Sequence, residues 1–130
     1  GRSTESVLRH ELGHAIQYKV LGISNHPEHG CVEGSVGCNV ARVEWSNIYN
    51  ARKEIAQNLS NHIAWRDKLD AKQYFLRSKI GEGVSVYGGY SQLELFAEAW
   101  TIYSHPGYGE SVKQLPSDIH DFFVKYLPRK

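Results

Sequence analysis

Apolar residues return along most of this chain at the spacing of a helix rather than a strand. Between residues 4 and 21 the apolar side is Val7, Leu8, Leu12, Ala15, Ile16 and Leu21. Ser3 or Thr4 suits the helix start, Glu5 its positive end, and Gly22 its stop. Residues 23 to 38 carry Pro27, Gly30, Gly34 and Gly37 among polar residues and read as a loop. Ala41-Arg42-Val43-Glu44-Trp45 then alternates apolar with charged residues, the period of a short strand. Helical spacing resumes over residues 50 to 69, with Ile55, Leu59 and Ile63 in a stripe, and over 71 to 80, up to the break at Gly81-Glu82-Gly83. Val84 to Tyr90 is a short extended or turning segment. A helix is expected from 91 to 104, ended by Pro106-Gly107, and a last one from 117 to 127. In the latter, Ile119, Phe122, Phe123, Tyr126 and Leu127 fall on one face. The pattern predicts a mainly α fold with little β.

Composition narrows this picture only in places. A chain of 130 residues holds one domain, spanning 1–130, with a single modest core. Its 41% hydrophobic and 22% charged residues are ordinary for a soluble globular protein. A net charge of +1, with basic and acidic residues interspersed, argues against nucleic acid as a partner. No apolar stretch reaches membrane-spanning length. Cys31 and Cys38 have six residues between them in a Gly-rich stretch, where a disulfide would suit a secreted protein and two separate thiols a reducing compartment. No leader is visible, but the chain opens abruptly on Gly1-Arg2-Ser3, so this decides nothing.

Chemistry enters with His10-Glu11-Leu12-Gly13-His14, an H-E-x-x-H motif on the first helix. Residues four apart lie one turn above each other, so both imidazoles can point at one tetrahedral zinc ion. Glu11, beside that face, can take a proton from a water that zinc has made acidic and return it to a leaving amine. The bland alternative is a surface helix that happens to carry two histidines. Gly13 inside a helix costs up to about 1 kcal/mol relative to Ala. A metal or a closely packed neighbour would explain it.

A catalytic zinc takes three protein ligands and keeps one position open. The extended pattern with a third histidine on the same helix is excluded, because Gln17 and Val20 occupy its last two positions. The third ligand must come from His26, Glu28, His29, Glu33, Glu54, Glu82, Glu94, Glu98 or His105. Glu94 is the strongest of these, since a carboxylate on a second helix can face the first across the metal. Glu98, one turn later, can then accept the outer N–H of a ligand histidine. Ser91-x-x-Glu94 also reads as a capping box, in which Glu94 would only close the helix start.

Tyr87-Gly88-Gly89-Tyr90-Ser91-Gln92-Leu93-Glu94-Leu95-Phe96-Ala97-Glu98-Ala99-Trp100, together with His10 to Ala15, resembles the two metal-site motifs of the anthrax lethal factor family. These are gluzincin-like zinc metallopeptidases that include secreted Pro-Pro endopeptidases. The resemblance implies a zincin-like core, zinc held by His10, His14 and Glu94, Glu11 as general base, and Glu98 orienting a ligand from behind. It also implies that the Tyr87 hydroxyl donates to the oxyanion of the tetrahedral intermediate; Tyr90 is a rival for that role. A polypeptide substrate and a secreted, toxin-like setting follow from the same likeness. The stretch between the motifs is longer than is usual in the family. The metal-site helix also starts almost at residue 1, so a fragment or reduced core lacking the upstream sheet is expected. Two other readings stay open: a zinc amide hydrolase acting on a non-protein substrate, and an inactive zinc-containing binding domain.

Overall fold

The computed structural model describes residues 4–21 and 36–128. Its elements are five helices, α1 (Thr4–Leu21), α2 (Val36–Ser60), α3 (Leu69–Ile80), α4 (Gln92–Tyr103) and α5 (Ser117–Tyr126), with a 3-10 turn at Tyr87–Tyr90. No strand occurs among the described residues; Tyr108 and Val112 share one isolated β-bridge. The chain is mainly α, as its periodicity predicts. None of these helices is long and apolar enough to cross a membrane. Pairing of Cys31 with Cys38 lies outside the described residues, as do His26, Glu28, His29 and Glu33.

The strand expected at residues 41–45 is instead the second and third turns of α2. Alternation over five residues fits either period, and here a longer helical stripe prevails. Ala41, Trp45, Tyr49 and Ala56 are buried at helical spacing, with Ile48 partly covered beside them. Trp45 is the centre of this face. Its ring meets Phe96 at 5.3 Å, Phe122 at 5.0 Å and Phe123 at 6.0 Å, and its Nε1 donates to the Gln92 carbonyl at 2.8 Å. Ile55, Leu59 and Ile63, the stripe read from the sequence, are exposed instead. The helix expected to run to residue 69 ends at Ser60. There Trp65 folds back, donating from Nε1 to the Ser60 carbonyl at 2.9 Å and packing on Phe75 of α3.

α4 sits at the middle of the structure. It packs against α1 on one side and against α2 and α5 on another, so Leu95, Phe96, Ala97, Glu98, Ala99 and Tyr103 are all buried. α5 closes the core as its spacing predicts, burying Ile119, Phe122 and Phe123. Tyr103 stacks on Phe123 at 5.1 Å and donates to the Leu127 carbonyl at 2.8 Å.

One guanidinium ties three elements outside the core. Arg52 of α2 donates from Nε and Nη2 to the Asp118 carboxylate of α5, at 2.9 and 3.0 Å. Its Nη1 donates to the carbonyls of Ile80 and Glu82, at 2.9 and 2.8 Å, at the end of α3. Burial pushes the Asp118 carboxyl up. The hydrogen bonds and charge of Arg52, with backbone N–H groups, outweigh it and hold the group below its usual range. A depressed carboxyl stabilises the fold above its unfolded pKa and loses that contribution as pH falls through its folded pKa. Asp118 is 41% exposed, so solvent screening limits the ion pair alone to less than about 1 kcal/mol. The two carbonyls at the end of α3 raise the stakes at Arg52 itself. We predict that Arg52→Ala lowers the unfolding free energy by about 2 kcal/mol in urea titrations at pH 7. Asp118→Asn should cost less, and its difference from the parent should shrink as pH falls below about 4. An unchanged urea midpoint for Arg52→Ala would remove this clamp from the account.

Candidate metal centre

The site begins with two backbones that come unusually close. A Cβ on Gly13 of α1 would lie 2.9 Å from the Cα of Ala97 on α4, 3.0 Å from its carbonyl oxygen and 3.2 Å from Trp100 Cδ1. Glycine facing a small alanine lets the helices touch, which accounts for a glycine within α1. The face of α1 turned to α4 is His10, Gly13, Gln17 and Leu21, all buried. The apolar side read from the sequence, with Val7, Leu8, Leu12 and Ala15, is exposed; only Ile16 and Leu21 of that set pack on the core. Polar groups can take the inner face because α4 supplies polar partners for them.

His10 and His14 flank Gly13, while Glu94 and Glu98 flank Ala97, so the crossing gathers four polar side chains. His10 Nε2 and His14 Nε2 are 3.1 Å apart. The Glu94 carboxylate is 2.9 Å from His10 Nε2 through Oε2 and 3.5 Å from His14 Nε2 through Oε1. On a tetrahedral ion with arms of 2.0–2.1 Å, neighbouring donors stand about 3.3 Å apart. The three side chains therefore form a group that can hold a metal ion.

Hydrogen bonding makes the same point chemically. His10 Nδ1 is 2.6 Å from Glu98 Oε2. A carboxylate only accepts, so Nδ1 carries a proton and Nε2 is the ring nitrogen turned toward Glu94. Glu94 Oε2 is itself buried with no hydrogen-bond donor. His10 Nε2 and Glu94 Oε2 stand 2.9 Å apart, a separation that a shared cation, whether a proton or a metal ion, bridges. Glu98 is 6% exposed and stands behind His10, on the ring nitrogen opposite the one that faces Glu94.

Ser91 caps α4 in extended conformation, its Oγ accepting from the Glu94 N–H at 3.2 Å. Only this half of the capping box forms with Ser91, since the Glu94 carboxylate goes to the histidines. Glu11 is exposed on α1 next to His10. Tyr87, in the 3-10 turn, sets its half-exposed ring 5.6 Å from the His10 ring, edge to face. Tyr90 turns instead to Arg77, whose guanidinium covers its ring at 3.9 Å. A Cβ on Gly89 would fall 2.1 Å from the Arg77 carbonyl oxygen, so that glycine lets the tyrosine turn lie on the end of α3.

Among the other acids and histidines proposed as third ligand, Glu54, Glu82 and His105 fall outside the group. His105 lies beyond the far end of α4 and accepts at Nδ1 from the Gly107 N–H. Sequence reasoning missed Ser85, whose Oγ is 2.9 Å from Glu98 Oε1. It belongs to no motif and no helical period connects it to Glu98, so nothing in the sequence marks it. Comparison of the chain with protein-family models, with curated proteins and with solved structures gives no match.

The close crossing has a direct test. Gly13→Val should destabilise the fold by about 2 kcal/mol and weaken divalent-metal uptake, since its branched side chain meets the α4 backbone. Ala15→Val, on the exposed side of the same helix, should leave metal uptake unchanged. Thermal melts and metal titrations compare the two. Equal behaviour would mean that helix approach does not build the site.

Proposed function

We propose that the chain is a zinc-dependent endopeptidase with a zincin-like core, related in mechanism to the lethal factor family. The observation that carries this reading is the convergence of His10 Nε2, His14 Nε2 and the Glu94 carboxylate, within 3.5 Å of one another, beside an exposed Glu11. Two imidazoles and one carboxylate suit zinc, whereas calcium and magnesium take oxygen donors. Three protein donors also match a catalytic rather than a structural site, which closes with four.

Bound zinc supplies Lewis acidity, which brings a water toward neutral pKa and polarises the scissile carbonyl. The rest is work for the chain's own side chains. Glu11 takes the proton from the attacking water and hands it to the leaving amine. The Tyr87 hydroxyl donates to the oxyanion of the tetrahedral intermediate, charge that is absent from the ground state. Glu98 keeps the proton of His10 on Nδ1 and so leaves Nε2 free to ligate.

The test pairs metal analysis with cleavage of casein, gelatin and quenched peptide libraries. The zinc-loaded parent should cut peptides. Glu11→Gln should keep stoichiometric zinc and lose hydrolysis by about 100-fold or more. Tyr87→Phe should lower kcat while leaving KM and zinc content unchanged. Glu94→Ala should weaken zinc binding itself. A zinc-loaded parent that leaves every peptide substrate uncut rejects the peptidase reading, and a fully active Glu11→Gln rejects the base.

A further inference from the structure

Ser85 stands between α3 and the tyrosine turn, and its hydroxyl has two partners. The Gly88 N–H reaches Oγ at 3.0 Å, and Oγ reaches Glu98 Oε1 at 2.9 Å. An amide N–H only donates and a carboxylate only accepts, so the direction of each bond is settled. Ser85 accepts from Gly88 and donates to Glu98. The other carboxylate oxygen of Glu98 accepts from His10 Nδ1 at 2.6 Å. One continuous chain of assigned protons therefore runs from the backbone next to Tyr87 to the back of a metal-binding histidine.

From this chain we infer that Ser85 is a positioning residue of the metal centre, coupling the His10 ring to the turn that carries Tyr87. Glu98 is a buried carboxylate with one oxygen on His10 and the other on Ser85. Without the hydroxyl, Oε1 loses this donor in a buried setting, and the carboxylate is held less firmly against His10. The turn simultaneously loses the acceptor for the Gly88 N–H. Close packing makes the arrangement rigid: a Cβ on Gly88 would already sit 3.2 Å from Leu95 Cδ1 on α4. A serine that served the turn alone would affect folding without touching metal affinity. The coupling predicts a change in both.

This role rests on the zinc reading, and the experiment separates the two. Zinc affinity of the full chain is measured by competition with a chromophoric chelator, beside far-ultraviolet circular dichroism to confirm the fold. Ser85→Ala should raise the zinc Kd about tenfold with the helical spectrum kept. Ser85→Thr, which restores a hydroxyl, should stay within about twofold of the parent, and Glu98→Gln should also weaken binding. Should Ser85→Ala fail to fold, Ser85→Cys keeps the volume, offers a weaker donor and carries the same prediction. A folded Ala or Cys variant that binds zinc as tightly as the parent overturns the role of Ser85, and leaves the zinc site standing. A parent that takes up no zinc overturns the site, and the role with it.

Discussion

The contact of Gly13 with Ala97 sets the distance from which everything polar in this protein is built. Helices that meet through large side chains stand 8–10 Å apart or more. Imidazole and glutamate side chains projecting along such a contact would then pass rather than converge. Here the backbones touch, and the residues three before and one after Gly13 face those three before and one after Ala97. The ligand atoms come within 3.5 Å because the helices leave them no further room. The candidate metal group is a consequence of small residues as much as of histidines and glutamates.

A crossing lined with polar groups adds little hydrophobic free energy, so stability must come from elsewhere. The aromatic cluster of Trp45, Phe96, Tyr103, Phe122 and Phe123 provides it, on the side of α4 turned from α1. α4 is thus a shared wall, apolar toward α2 and α5 and acidic toward α1. Arg52 fixes the ends of α3 and α5 against α2 and so holds the frame on which the tyrosine turn rests. Its four hydrogen bonds join the end of α3 to the start of α5.

Legibility from sequence follows the range of the interaction. The first helix, its H-E-x-x-H pair and the Glu94/Glu98 spacing are local patterns, readable because four residues make one turn wherever the helix lies. Periodicity also gave the last helix and its buried Ile119, Phe122 and Phe123. It failed in α2, where Ala41 to Trp45 satisfies strand alternation, and where Ile55 and Leu59 are exposed while Ala41 and Ala56 are buried. Burial there is decided by which side fits the rings of α4 and α5, a tertiary choice that hydropathy alone does not encode. The same holds for α1, whose inner face is the more polar one. Ser85 and the pairing of Gly13 with Ala97 are long-range facts about small residues, which carry almost no signal of their own.

The two histidines of the centre are not equivalent, and the difference explains why the proton chain ends where it does. His10 has a carboxylate behind it, and that carboxylate has a serine behind it. His14 Nδ1 is buried without a hydrogen-bond partner among the described residues. An unpaired buried ring nitrogen costs about 1–3 kcal/mol, so the asymmetry is not free. It is tolerable because both rings ride on one rigid helix: once His10 is fixed, a turn of α1 carries His14 into place and packing holds it there. A single well-oriented ring can therefore organise the pair. The groups behind it, Glu98 and then Ser85, lead straight to the turn bearing Tyr87, so the candidate metal group and that turn share one set of hydrogen bonds.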